Sequence, residues 1–241
     1  MRTSTSAIEK GSGKKVARLW SKLSGEYIRR PYRILFLSLV VTLIVAPIAA
    51  QLQLRTWPIE LLLIVNLTVA AVGYNTPRGR HRLLAVVGMI VLLRLLARWF
   101  HIEAAFTGAA LLCIALAVFA AIAALRFALR DGRVDAERLS AALSAYLLVG
   151  YFFGIAYFEV ARLLPGSFTI AGAATHSGQL DLQTGIYFSF VTLATLGYGD
   201  ISPLAPTARG LAVTEAILGQ LYLAVLVARL VGITGPRQSS E

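Results

Sequence analysis

Thr195, Gly197, Tyr198, Gly199 and Asp200 stand together in FVTLATLGYGD, residues 190–200. A hydroxyl opens the set, a carboxylate closes it, and two glycines between them accept positive φ without a Cβ clash. This is oxygen and flexible backbone, with no nucleophile beside a base. The whole chain offers three histidines, one cysteine and 12 acidic residues, Asp200 among them. Their spacing forms no nucleophile, base and orienting group, so neither an enzyme nor a bound cofactor is expected. The stretch also lies between long apolar runs. Irregular backbone at membrane depth is tolerated only where protein buries it or where it lines a water-filled cavity, and the glycines therefore point to a pore.

The elements that must hold this stretch are membrane helices. The 241 residues are 57% hydrophobic and 15% charged, with a mean hydropathy of +0.72, well to the apolar side of a soluble domain. Apolar runs predict crossings at Arg33 to Leu52, Pro58 to Tyr74, Leu83 to Phe100, Ala104 to Phe127, Leu139 to Leu163 and Thr207 to Ile233, against the roughly 20 residues a spanning helix needs. Between the fifth and sixth comes PGSFTIAGAATHSGQ, an exposed Gly-rich loop by its turn residues. DLQTGIYFSFVTLAT follows; as a helix it reaches only about 22 Å, so it dips in and returns. The expected fold is an all-α membrane protein of six transmembrane helices, with a re-entrant pore helix and filter loop between the fifth and sixth. Its parts are a basic segment at 1–32, a four-helix peripheral domain at 33–130, a pore domain at 131–233 and a short tail at 234–241.

Charge sets the expected orientation. Of the 23 Lys and Arg, only Arg55, Arg94, Arg98, Arg162 and Arg209 fall on what would be the outer side. The positive-inside rule then puts both termini in the cytoplasm and the protein in the plasma (inner) membrane. The net charge of +11 is thus topological. Shared among short loops, it forms no nucleic-acid surface. The first 30 residues are too polar for a signal peptide. Within them Val16, Leu19, Trp20, Leu23 and Tyr27 recur at helical intervals among lysines and arginines. That suits either an interfacial helix on anionic lipid or a basic tail. Cys113 lies mid-membrane, so no disulfide framework forms and the residue is expected to pack.

TLGYG, residues 195–199, followed by Asp200, resembles the selectivity filter of potassium channels, and the setting resembles the short prokaryotic six-helix members of that family. The resemblance implies that carbonyls of Thr195, Leu196, Gly197 and Tyr198, with the Thr195 hydroxyl, replace the water shell of K⁺. It implies four copies of the chain around the ion. Tyr187 and Phe188 match the aromatic cuff that braces the filter, and Thr192 matches a common pore-helix threonine. Gly219, twenty residues after Gly199, matches the inner-helix glycine proposed as a gating hinge. The negative C-terminal end of the short helix, near Ala194, would face the cation. Leu196 departs from the usual Val or Ile and loses β-branched stiffness; Ala194 and Val191 depart too. A Glu–Asp bridge to Asp200 is absent, which leaves Asp200 to a neighbouring chain's Tyr187 or a water.

The remaining charged residues bear on gating. A voltage sensor needs arginines at every third position within the membrane field, and none lies between Ala104 and Leu125. Arg94 and Arg98 are expected to snorkel or to pair with Glu60 or Glu103. Glu159 is expected to pair with Arg162. Glu215, one turn before Gly219, suits either proton sensing or hydrogen bonding behind the filter. His176 is read as an ordinary loop histidine, and Leu226 with Val227 suits either a hydrophobic gate or plain packing. A weakly selective cation channel is the alternative to K⁺ selectivity. A secondary transporter would show paired broken helices in repeated halves, whereas one re-entrant segment is visible.

Overall fold

A computed structural model of the chain describes residues 30–52, 57–72, 77–100, 102–130, 135–175 and 179–234. The basic segment before Arg30, His176 and the tail after Thr234 lie outside the described residues. Helices α1 (Pro31–Gln51), α2 (Trp57–Val72), α3 (Pro77–Phe100), α4 (Glu103–Ala128) and α5 (Ala136–Leu163) follow in order. Then come strands β1 (Phe168–Ile170) and β2 (Ala173–Ala174), helix α6 (Leu182–Leu193), strand β3 (Ile201–Pro203) and helix α7 (Pro206–Thr234).

Among the described residues five helices, α1, α3, α4, α5 and α7, are long and apolar enough to cross a membrane. The chain is an integral membrane protein. The expected second crossing is α2, 16 residues long; its rise of about 24 Å falls short of a roughly 30 Å hydrocarbon core. The helix starts at α3 and α5 lie upstream of the expected ones, and for α5 the sequence carries the signal. Asp135 caps it, accepting from the Arg138 amide at 2.8 Å, and Glu137 in its first turn suits the positive end of the helix dipole. Glu137 also accepts from the Tyr32 amide at 2.6 Å, which ties the start of α1 to the start of α5.

Small residues at helical intervals let these helices approach closely. Along α4 the buried face is Ala109, Ala110, Cys113, Leu116, Ala117, Ala120, Ala121 and Ala124. Cys113 is buried and packs in the core as expected. One core cluster joins Leu35 and Leu39 of α1, Leu67 of α2, Ile90 of α3, the α4 face, Leu148, Tyr151 and Ile155 of α5, and Ile186 of α6. It runs across the boundary expected at residue 130, so the peripheral helices and the pore helices share a core.

The expected exposed loop after α5 is in part a sheet of order β2-β1-β3. Ala171 and Gly172 both have positive φ, 50° and 82°, which is the two-residue hairpin geometry that matches strand twist. Ile170 pairs with Ala173 across the turn and with Ile201 on the far side. The Ala171 amide donates to the Asp200 carbonyl at 2.9 Å. The hairpin therefore pins the chain where it leaves the 195–200 stretch.

Candidate functional site

Helix α6 ends where the TLGYG stretch begins, and its ending has a defined shape. Asp181 caps the start, accepting from the Thr184 amide at 2.7 Å. At the other end the Leu196 amide donates to the Val191 carbonyl at 2.9 Å and the Thr195 amide to the Thr192 carbonyl at 3.0 Å. This pair of bonds is the Schellman ending, which places its residue beyond the cap in the left-handed region. That residue is Thr195, with φ of 56°. Such a conformation is an outlier for a β-branched side chain and strains the backbone by about 1–2 kcal/mol.

Positive φ then recurs at every second residue: Thr195 at 56°, Gly197 at 59° and Gly199 at 78°. In an ordinary extended strand successive carbonyls point to opposite sides. Alternating the hand of the backbone turns them toward one side instead. Leu196 and Tyr198 are 55% and 67% exposed on the single chain.

The structure brings Asp200 to Tyr187 of the same chain, whose hydroxyl donates to Asp200 Oδ2 at 2.9 Å. The expectation of a neighbouring chain's Tyr187 or a water is corrected. The chain folds back antiparallel to α6, which brings Asp200 level with a residue two turns before the helix end. Phe188 is buried elsewhere, with Tyr157 at 4.8 Å and Phe168 at 5.6 Å between ring centroids. It joins α6 to α5 and β1. Thr192 contributes its carbonyl to the helix ending and is half-buried.

Behind α6 three glycines set the packing. A Cβ on Gly154 would lie 2.6 Å from Ile186 Cα, and one on Gly185 would lie 2.7 Å from the Gly154 carbonyl oxygen. A Cβ on Gly219 would lie 2.7 Å from the Leu193 carbonyl oxygen, so α7 meets the end of α6 at backbone distance there. Gln220, beside it, reaches Thr195 Oγ1 at 3.5 Å.

Glu215 has no exposed surface. Tyr157 of α5 donates to its Oε2 at 2.6 Å, and Ser189 of α6 lies in hydrogen-bond contact with its Oε1. Ser189 Oγ also meets the Gly150 carbonyl at 2.7 Å. Tyr157, Ser189, Gln220 and the Gly154–Gly185 crossing are missing from the residues singled out in the sequence. The one local signal was the Gly150 and Gly154 spacing on α5, a small-xxx-small pattern.

Farther out, Arg162 joins Glu159 at 2.8 Å, as expected, and also joins Glu103 and Thr107. Glu103 thus pairs with Arg162. Arg94 lies over one face of the Phe106 ring at 4.4 Å, with Arg162 near the same ring at 4.9 Å. The side chain of Glu60 lies outside the described residues. Leu226 packs against Ala128, Ala141 and Ala142, whereas Val227 is 57% exposed. Among the described residues no group of His, Cys, Asp and Glu has the makings of a metal centre.

The ion channel family matches residues 143–234, which run from α5 through the TLGYG stretch to α7. Two pore potassium channel c of Oryza sativa subsp. japonica is 35% identical over 89 residues, 37% of this chain and 17% of that protein. The inward rectifier potassium channel Kirbac3.1 of Paramagnetospirillum magnetotacticum is 36% identical over 84 residues, 33% of this chain and 24% of that protein. Protein LctB of Geobacillus stearothermophilus is 42% identical over 50 residues, 21% of this chain and 37% of that protein. The chain therefore spans well under half of each of these relatives. No solved structure gives a significant match. A short capped helix running into TLGYGD between two long apolar helices lies within residues 143–234, the segment that is similar to the ion channel family.

Proposed function

We propose that the chain is one subunit of a homotetrameric, K⁺-selective channel, in which carbonyls of Thr195, Leu196, Gly197 and Tyr198 ring a dehydrated K⁺. The observation that carries this reading is the alternation of positive φ at residues 195, 197 and 199. It gives a run of hard oxygen donors aimed one way, which suits an alkali cation stripped of water. The capped α6 supports it by aiming the negative end of a helix dipole toward the ion's path.

Four copies are needed because one strand supplies only part of each oxygen ring. On α7, Val213, Ile217, Leu221 and Val225 are exposed apolar residues of the single chain, suited to helices of other copies. In this reading α2 completes a six-crossing topology with both termini cytoplasmic, its short length accommodated by neighbouring helices. Gating comes from parts other than a charged sensor, since α4 carries no arginine before its last turn. Leu196 favours a second reading, a less selective cation pore, because its χ1 is less constrained than that of Val or Ile.

The test is K⁺ flux from liposomes containing the purified protein, with Gly197→Ala alongside. A Cβ at Gly197 meets no neighbour within 4 Å but strains the positive φ. The expected result is a K⁺ flux that the variant abolishes while remaining folded. Equal flux in both proteins contradicts the carbonyl filter.

A further inference from the structure

We propose that Glu215 carries a proton and, as a neutral acid, is the positioning residue that clamps the pore helix α6 between α5 and α7. Its positioning part rests on the channel reading above. The argument is an inventory of protons. Three contacts meet at this point: Tyr157 with Glu215 Oε2, Ser189 with Glu215 Oε1, and Ser189 with the Gly150 carbonyl. Each of the two hydroxyls carries a single proton.

With an ionised carboxylate there are two protons for three contacts, and one pair of oxygens is left facing without a hydrogen between them. With a neutral acid the inventory closes. Tyr157 donates to Oε2, Oε1–H donates to Ser189 Oγ, and Ser189 passes its own proton to the Gly150 carbonyl. The chain of bonds then has one direction from α5 through α7 and α6 back to α5.

The surroundings agree. Glu215, Ser189 and Tyr157 are each fully buried in the single chain. Among the described residues the partners of the Glu215 carboxyl are the Tyr157 and Ser189 hydroxyls, and no cation pairs with it. An ionised carboxylate without a partner at membrane depth is strongly disfavoured. The clamp also sits at a leverage point. Ser189 lies on the helix that ends in the filter, and Glu215 lies one turn before Gly219, where α7 touches the Leu193 carbonyl.

Two readouts on the full chain in liposomes test this. In infrared difference spectra of wild type against Glu215→Gln, the expected signal is the carbonyl stretch of a hydrogen-bonded protonated carboxyl, shifted in D₂O and missing from the variant. A difference confined to carboxylate bands overturns the proposal. Tyr157→Phe removes the donor to Oε2 and is expected to raise that stretch; an unmoved band contradicts the assigned bonding.

For the positioning role, glutamine can donate to Ser189 and accept from Tyr157, so Glu215→Gln is expected to retain K⁺ flux. Glu215→Leu leaves the Tyr157 hydroxyl without its acceptor and unties Ser189 from α7, and is expected to lower flux about tenfold. Equal loss in both variants, or none in either, overturns the positioning role. Should the leucine variant fail to fold, Ser189→Ala removes the acceptor instead, and unchanged flux there has the same meaning. If the wild type conducts no K⁺, the channel reading fails while the infrared band still decides where the proton is.

Discussion

Thr195 shows how a residue is read from its neighbours and how far that reading goes. Its place before two spaced glycines marks the filter in the sequence, because the constraint is local: alternate residues must accept one backbone hand. What the sequence does not show is that Thr195 itself takes positive φ, a strain held by the two bonds that end α6 and of the kind that persists at functional sites. Glu215 was visible as a buried acid, yet its partners lie 58 and 26 residues away, beyond any local pattern. Asp200 was given a partner on another chain for the same reason. The glycines behind the filter carry a direct prediction. Gly154→Ala must push a Cβ into the Ile186 backbone, and overpacking of this kind costs about 1–3 kcal/mol. Gly108, on α4, has nothing within 4 Å of such a Cβ. Gly108→Ala is expected to leave stability unchanged or raise it by up to about 1 kcal/mol. Thermal unfolding of the two variants in detergent compares them directly, and a Gly154→Ala protein as stable as Gly108→Ala would contradict the close crossing of α5 and α6.

At the scale of elements, the long apolar helices were legible because hydropathy and length alone define them. The sheet β2-β1-β3 was not. Its strands are two or three residues long, too short for a period-2 signal, and the glycines around them read only as turns. The pairing of helices was also hidden, since nothing along the chain tells which small-residue face meets which. Arg162 is the clearest cross-element contact outside the pore, tying Glu159 on α5 to Glu103 and Thr107 at the start of α4. The Arg162 and Glu159 side chains are 19% and 8% exposed. Removing one partner of such a pair strands the other. Arg162→Met is therefore expected to lower stability by about 3–5 kcal/mol, and adding Glu159→Leu to recover most of the loss. Unfolding of the single and double variants measures this; a double variant no more stable than the single would show that Arg162 acts through Phe106 and Glu103 rather than through the buried carboxylate.

At the scale of the whole molecule, the sequence legibly defines a helical membrane protein, and the similarity to the ion channel family runs from 143 to 234. The count of crossings is harder to read, because α2 is apolar but short, and length is the criterion that separates a span from a buried helix. Across the boundary expected at residue 130, the α4 face that packs on α5 belongs to the same core as α1 and α6. In the proposed channel, the peripheral helices would reach the filter through α5 and α6. The assembly then stands or falls on what the filter passes. The measurement that tests it most directly is the reversal potential of the purified protein in a planar bilayer under opposed K⁺ and Na⁺ gradients. The account predicts a reversal close to the K⁺ equilibrium potential. A reversal near zero would contradict it, leaving a pore whose oxygen rings, with Leu196 among them, do not tell the two ions apart.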